Sequence, residues 1–130
     1  MIRLFLPVFL FQLLAWPIGT FHNYKSLQYD YVVGVTTAVI IDNTVTTTIE
    51  VQNLQEGTLY VGEFNVNAYD ADTGKYLEKF SCLAGFQVIL EENQTGRGNV
   101  CWKSEKQLKN VVIVYSHSAF TTNNFAWKVL

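Results

Sequence analysis

The chain has 130 residues, of which 49% are hydrophobic, 15% aromatic and 15% charged, with a formal net charge of −2; that length gives room for one domain with one core. Aromatic and β-branched residues this abundant exclude a disordered chain. The slight acidic balance offers no concentrated basic face to neutralise phosphates, which excludes nucleic acid as a partner.

Met1, Ile2 and Arg3 open the chain, and Leu4 to Ala15 is almost wholly apolar before Trp16, Pro17, Ile18, Gly19 and Thr20. A basic start, an apolar run of about a dozen residues and small residues after a Pro break form the pattern of a signal peptide. The run is short for a membrane span, which takes about 20 residues. Residues 1–20 are therefore expected to be a leader, cut somewhere between Ala15 and Thr20, with a single domain over 21–130. The expected product is secreted and extracellular, with no transmembrane segment in the mature chain.

From Leu27 the odd positions read Leu27, Tyr29, Tyr31, Val33, Val35, Thr37, Val39 and Ile41, a period of two that predicts a long strand with a bulge at Gly34. Asp42-Asn43 supplies a turn, and Val45, Thr47, Ile49 and Val51 alternate with Thr44, Thr46, Thr48 and Glu50 in a second strand. Tyr60, Gly62, Phe64, Val66 and Ala68 form an expected apolar face, followed by a reversal at Asp70–Gly74. Tyr76 to Leu90 reads as two strand segments, Glu91 to Asn99 as an exposed loop and Val100 to Lys103 as a short strand. Ser104–Gln107 resembles a capping box opening one helical turn, with Lys103, Lys106 and Lys109 on one face. Val111 to Phe120 and Phe125 to Val129 supply the last strands. The expected fold class is all-β, an antiparallel β-sandwich of the immunoglobulin-like or fibronectin-like kind with seven to eight short strands; a small β-barrel is the alternative.

In an oxidising compartment Cys82 and Cys101 are expected to pair, closing a loop worth about 3 kcal/mol. Their closeness in sequence, with Trp102 beside the second, departs from the antibody pattern. Asn93-Gln94-Thr95 is an N-glycosylation sequon in the expected loop. Asp70 and Asp72 lie at alternate positions but lack the Gly and Glu of a calcium loop, so a plain turn is expected. His22 and His117 are too isolated for a zinc site. No G-x-S-x-G elbow accompanies His117, and the adjacent carboxylates Glu91 and Glu92 point apart with no second acidic pair to complete acid and base roles, so the chain is expected to be non-catalytic, with no metal and no cofactor. Tyr69, Trp102 and Phe120 fall off the expected core faces and are candidate binding-surface aromatics. Together these features point to a secreted, disulfide-bridged glycoprotein that binds another extracellular or cell-surface protein. A carrier of a lipid or other apolar small molecule, or a carbohydrate-binding module, is the alternative.

Overall fold

The computed structural model describes residues 15–118 and 124–129. Eleven strands lie among these residues: β1 Ala15–Pro17, β2 Phe21–Lys25, β3 Asp30–Ile41, β4 Thr44–Asn53, β5 Leu59–Gly62, β6 Val66–Asp70, β7 Glu78–Phe80, β8 Gln87–Leu90, β9 Thr95–Lys103, β10 Val111–Tyr115 and β11 Phe125–Val129. They form a four-stranded sheet in the order β1-β11-β10-β6, a five-stranded sheet in the order β2-β3-β4-β9-β7, and a two-stranded ribbon of β5 and β8. Every strand pair is antiparallel except β1 with β11. The sheets are open, each ending on a short strand, so the architecture is the sandwich and not the barrel. The strand count exceeds the expected seven to eight because β1, β5, β7 and β8 have only three or four residues, too few to print a period on the sequence.

The core lies between the two large sheets. Strand β4 supplies it in strict alternation: Val45, Thr47, Ile49, Val51 and Asn53 are buried, while Thr46 and Gln52 face out. Strand β9 answers with Val100 and Trp102, and the four-stranded sheet adds Ile113, Tyr115 and Trp127. The fully enclosed Trp102, Trp127, Tyr31, Tyr115 and Phe86 fill the space between the layers.

Two local rules of β3 differ from the sequence reading. The register shift falls between Val35 and Thr37, not at Gly34. A bulge reverses the alternation beyond it, so Ala38 and Ile40 pack on the core and Val39 and Ile41 are exposed. Gly34 serves another purpose: a Cβ there would meet the ring of Phe21 at 2.7–2.8 Å, so the missing side chain lets that ring lie across the strand. The segment after β9 also departs from expectation, because Ser104–Gln107 forms bends and no helical turn. Its backbone is tied to the β3–β4 turn instead: the Ser104 amide donates to the Asn43 carbonyl at 2.8 Å and the Leu108 amide to the Asp42 carbonyl at 2.9 Å. Leu108, 5% exposed, is drawn into the core, which holds the segment out of a helix.

Cys82 and Cys101 are bridged, with their Cα atoms 5.8 Å apart. Cys101 faces the outer side of the five-stranded sheet, opposite Thr46 and Phe80. The bridge pins the start of the β7–β8 connection, which is held further by Asn99: its amide donates to the Ala84 carbonyl at 2.8 Å, and its side chain to the Leu83 carbonyl at 2.9 Å.

Candidate functional site

Aromatic side chains fall into two contrasting settings in this fold, one exposed and one enclosed. The exposed one is the ribbon. Leu59, Val61, Val88 and Leu90 turn into the core, which leaves Tyr60 and Ile89, directly opposite each other in the pairing, on the solvent side. Tyr60 is 70% and Ile89 60% exposed. Gly62 extends this face along β5, and the ring of Phe64, 79% exposed, lies 3.7 Å from where a Gly62 Cβ would stand. The side chains of Tyr60 and Ile89 on the ribbon and of Phe64 in the turn that follows β5 therefore lie along one exposed apolar strip.

A 3₁₀ turn at Glu63–Asn65 creates this arrangement. It shifts the alternation, so that Leu59 and Val61 point inward before it and Val66 and Ala68 after it. The sequence reading put Tyr60, Gly62 and Phe64 on the same inward face as Val66; the turn overturns that for Tyr60 and Phe64. Asn65 holds the turn: its Oδ1 accepts from the Gly62 amide at 2.9 Å, and its Nδ2 donates to the Ser116 and His117 carbonyls, both at 3.0 Å. The Lys79 ammonium donates to the Glu63 carbonyl at 2.6 Å, clamping the turn to β7. Burial lowers the Lys79 pKa, against an opposing pull from the Glu63 carboxylate.

The enclosed setting is at His117. Its Nδ1 is 2.7 Å from the Tyr31 hydroxyl, which is 2.8 Å from the Tyr115 hydroxyl. One proton order or its reverse satisfies all three groups. The imidazole stacks on Tyr24 at 4.5 Å between centroids and meets Tyr29 at 4.3 Å. Burial, reinforced by the neighbouring phenols, raises the Tyr31 pKa far above the ordinary tyrosine value, and burial raises that of Tyr115; burial lowers that of His117. A histidine oriented by a phenol that stays protonated gains no base strength from it; the contacts tie the end of β10 to β2 and β3. His22 is similarly boxed, with Phe125, Trp127 and Trp16 at centroid distances of 4.8, 5.4 and 5.5 Å.

Two of the three expected binding aromatics, Trp102 and Tyr69, are buried. Trp102 is 0% exposed, because it takes an inward position on β9 across from Val45. Tyr69 is 4% exposed; it lies opposite Val112 and packs with Val112, Val114 and Ala126, its ring edge-on to Tyr76 at 5.9 Å. Phe120 lies outside the described residues. Tyr60 and Phe64 were missed as surface residues, and the adjacent Glu63-Phe64-Asn65, a break in strict alternation, was the available signal. Asn93 is exposed in the turn between β8 and β9 with φ +66°, its amide donating to the Asn53 carbonyl. Asp70 caps its own turn, accepting from the Asp72 amide at 2.9 Å. Among the described residues no three His, Cys, Asp or Glu side chains gather as metal ligands. No helix among them is long and apolar enough to cross a membrane.

A cleft of about 590 Å³ opens beside β7, lined by Lys75, Tyr76, Glu78, Lys103 and Lys106 with Asn43. It is a surface groove with charges of both signs, unlike the enclosed apolar cavity of a lipid carrier.

No protein-family model matches the chain, and no curated protein matches it. Solved structures do resemble it. The secreted protein MPT63 of Mycobacterium tuberculosis superposes with a TM-score of 0.67 at 13% identity, over 88% of this chain and 96% of that one. The yjhA protein of Bacillus subtilis gives 0.62 at 11% identity, over 88% and 99%. The candidate lipoprotein ycdA of Bacillus subtilis subsp. subtilis str. 168 gives 0.61 at 12% identity, over 81% of this chain but 37% of that one. Identities this low speak to the fold alone, and that fold is the β-sandwich.

Proposed function

We propose that this chain is an exported, non-catalytic module that binds another extracellular or cell-surface protein through the β5–β8 ribbon. One observation carries the reading: Tyr60, Ile89 and Phe64, between 60% and 79% exposed, lie together on the outer face of the β5–β8 ribbon. A rigid apolar strip is stabilised by being covered, at roughly 25 cal/mol per Å² of apolar surface removed from water. Export is supported by the leader-like start, by the Cys82–Cys101 bridge and by likeness to a fold that includes a secreted protein. A glycan on Asn93 belongs to the same reading, since the sequon sits exposed at a turn.

Site-specific photocrosslinking tests it. A crosslinker at position 60 should capture a protein from the extracellular medium or cell surface, and one at Gln52, exposed on β4, should not. Equal adducts at both positions, or none at position 60, would overturn the assignment of the surface. A second reading, glycan recognition, rests on the exposed Tyr76 in the cleft beside β7; protection of the Tyr76 ring on a glycan array would favour it.

A further inference from the structure

The stretch that reads as the end of the leader is also part of the folded domain. Strand β1 pairs with β11 through Ala15 with Ala126, Trp16 with Trp127 and Pro17 with Lys128. Pro17 to Thr20 then makes a β-turn, closed by the Thr20 amide on the Pro17 carbonyl at 3.2 Å. Gly19 in this turn has φ +99° and nothing within 4 Å of its Cβ position, so glycine is required there by the backbone alone. The turn carries the chain from the four-stranded sheet to β2 in the five-stranded one. Each residue from Trp16 to Thr20 except the turn proline has a further tie. The Gly19 amide donates to the Val35 carbonyl at 2.8 Å, the enclosed Trp127 indole donates to the Thr20 carbonyl at 2.8 Å, Ile18 packs on the core, and Trp16 meets His22 edge-on at 5.5 Å.

A cut after Thr20 would remove all of these and strand the Trp127 N–H inside the protein. A cut after Ala15 removes one residue of β1, with its packing on the Tyr69 cluster, and keeps every tie from Trp16 to Thr20; it puts a small residue directly before the scissile bond, with Leu13 at the other position of the small-residue pattern. We infer that the leader is removed at the Ala15–Trp16 peptide bond, so that the mature protein begins at Trp16 and keeps Trp16 and Pro17 of β1 with the turn that follows. The inference rests on the exported reading. In the step, water adds across the amide under an endoprotease of the export machinery, leaving a carboxylate on Ala15 and an ammonium on Trp16.

Intact mass and N-terminal sequencing of the protein exported by its own cells are the test, with Trp16 the expected first residue. An exported protein that starts at Phe21, or at any other residue, overturns the inference and leaves the exported reading standing. A chain that keeps Met1 and stays inside the cell defeats the exported reading itself. In parallel, oxidised chains beginning at Trp16 and at Phe21 should differ in melting temperature by at least about 5 °C in favour of the longer one. Equal melting temperatures would mean that β1 adds nothing to the domain, and would overturn the argument for the site.

Discussion

The His117 cluster and the β5–β8 ribbon are made of the same kinds of residue and put them to opposite uses. At His117 the rings of Tyr24, Tyr29 and Tyr31 surround the imidazole, and the hydroxyls of Tyr31 and Tyr115 are bonded in one chain. On the ribbon, Tyr60 and Phe64 present their rings to water. What separates the two is phase. Tyr31 and Tyr115 occupy buried positions of β3 and β10, whereas Tyr60 falls on the outward side of β5 and Phe64 in a 3₁₀ turn. Exposure of an aromatic ring is thus decided by the local register, and the rings that register leaves outside are the ones free for a partner. Asn65 joins the regions, since one side chain holds the end of β5 and the carbonyls of Ser116 and His117.

The contrast can be broken most heavily at Tyr31. Tyr31→Ala should cost about 3–5 kcal/mol, the range for large-to-small core changes, read as a fall in the urea midpoint. A loss below about 1 kcal/mol would mean that the cluster does not tie β10 to β2 and β3. Asn65→Ala should cost about 1–3 kcal/mol by leaving the Gly62 amide and two carbonyls without their partner. It should also speed hydrogen exchange in β5 and around His117 together; a change confined to one of them would refute the link.

Acid should act on the enclosed region through its histidines. Burial lowers the pKa of His117 and of His22 below the ordinary 6.5, so below about pH 6.5 the unfolded chain binds protons that the folded chain refuses. Stability should be full above that value and fall as the pH drops beneath it, and His117→Gln should flatten the decline. A pH-independent midpoint between 7 and 5 would contradict this. The smallest effect on stability is expected on the ribbon: Tyr60→Ser with Ile89→Thr should stay within about 0.5 kcal/mol per site, while partner capture is lost. A large destabilisation there would show the strip to be structural after all.

How far each element could be read from the sequence follows the length of unbroken alternation. β4 was legible because Val45, Thr47, Ile49 and Val51 keep one phase from turn to turn. The disulfide was legible because two cysteines in an oxidising setting have one pairing. The first half of β3 was legible, but the bulge after Val35 exchanged the faces of Val39 and Ile41. Between Leu59 and Ala68 the 3₁₀ turn did the same within ten residues, which is why the apolar strip was read as core. Trp102, read with Tyr69 and Phe120 as lying off the core faces, is enclosed across from Val45. β9 in fact begins at Thr95 and pairs with β4 along its whole length, and that longer register sends Trp102 inward. Ser104–Gln107 has the sequence of a helix start, and the burial of Leu108 overrode that local preference.

Strand β1 also decides which edge of the four-stranded sheet is left open. An open sheet edge is a template on which another chain can grow, and a protein with only 15% charged residues has little repulsion to prevent it. Along β11 that edge is occupied by β1, and the residue at the end of β1 is Pro17, which has no N–H to offer an incoming strand. Loss of those few residues would uncover the β11 edge beside Trp127 and leave its unpaired backbone groups open to an incoming strand.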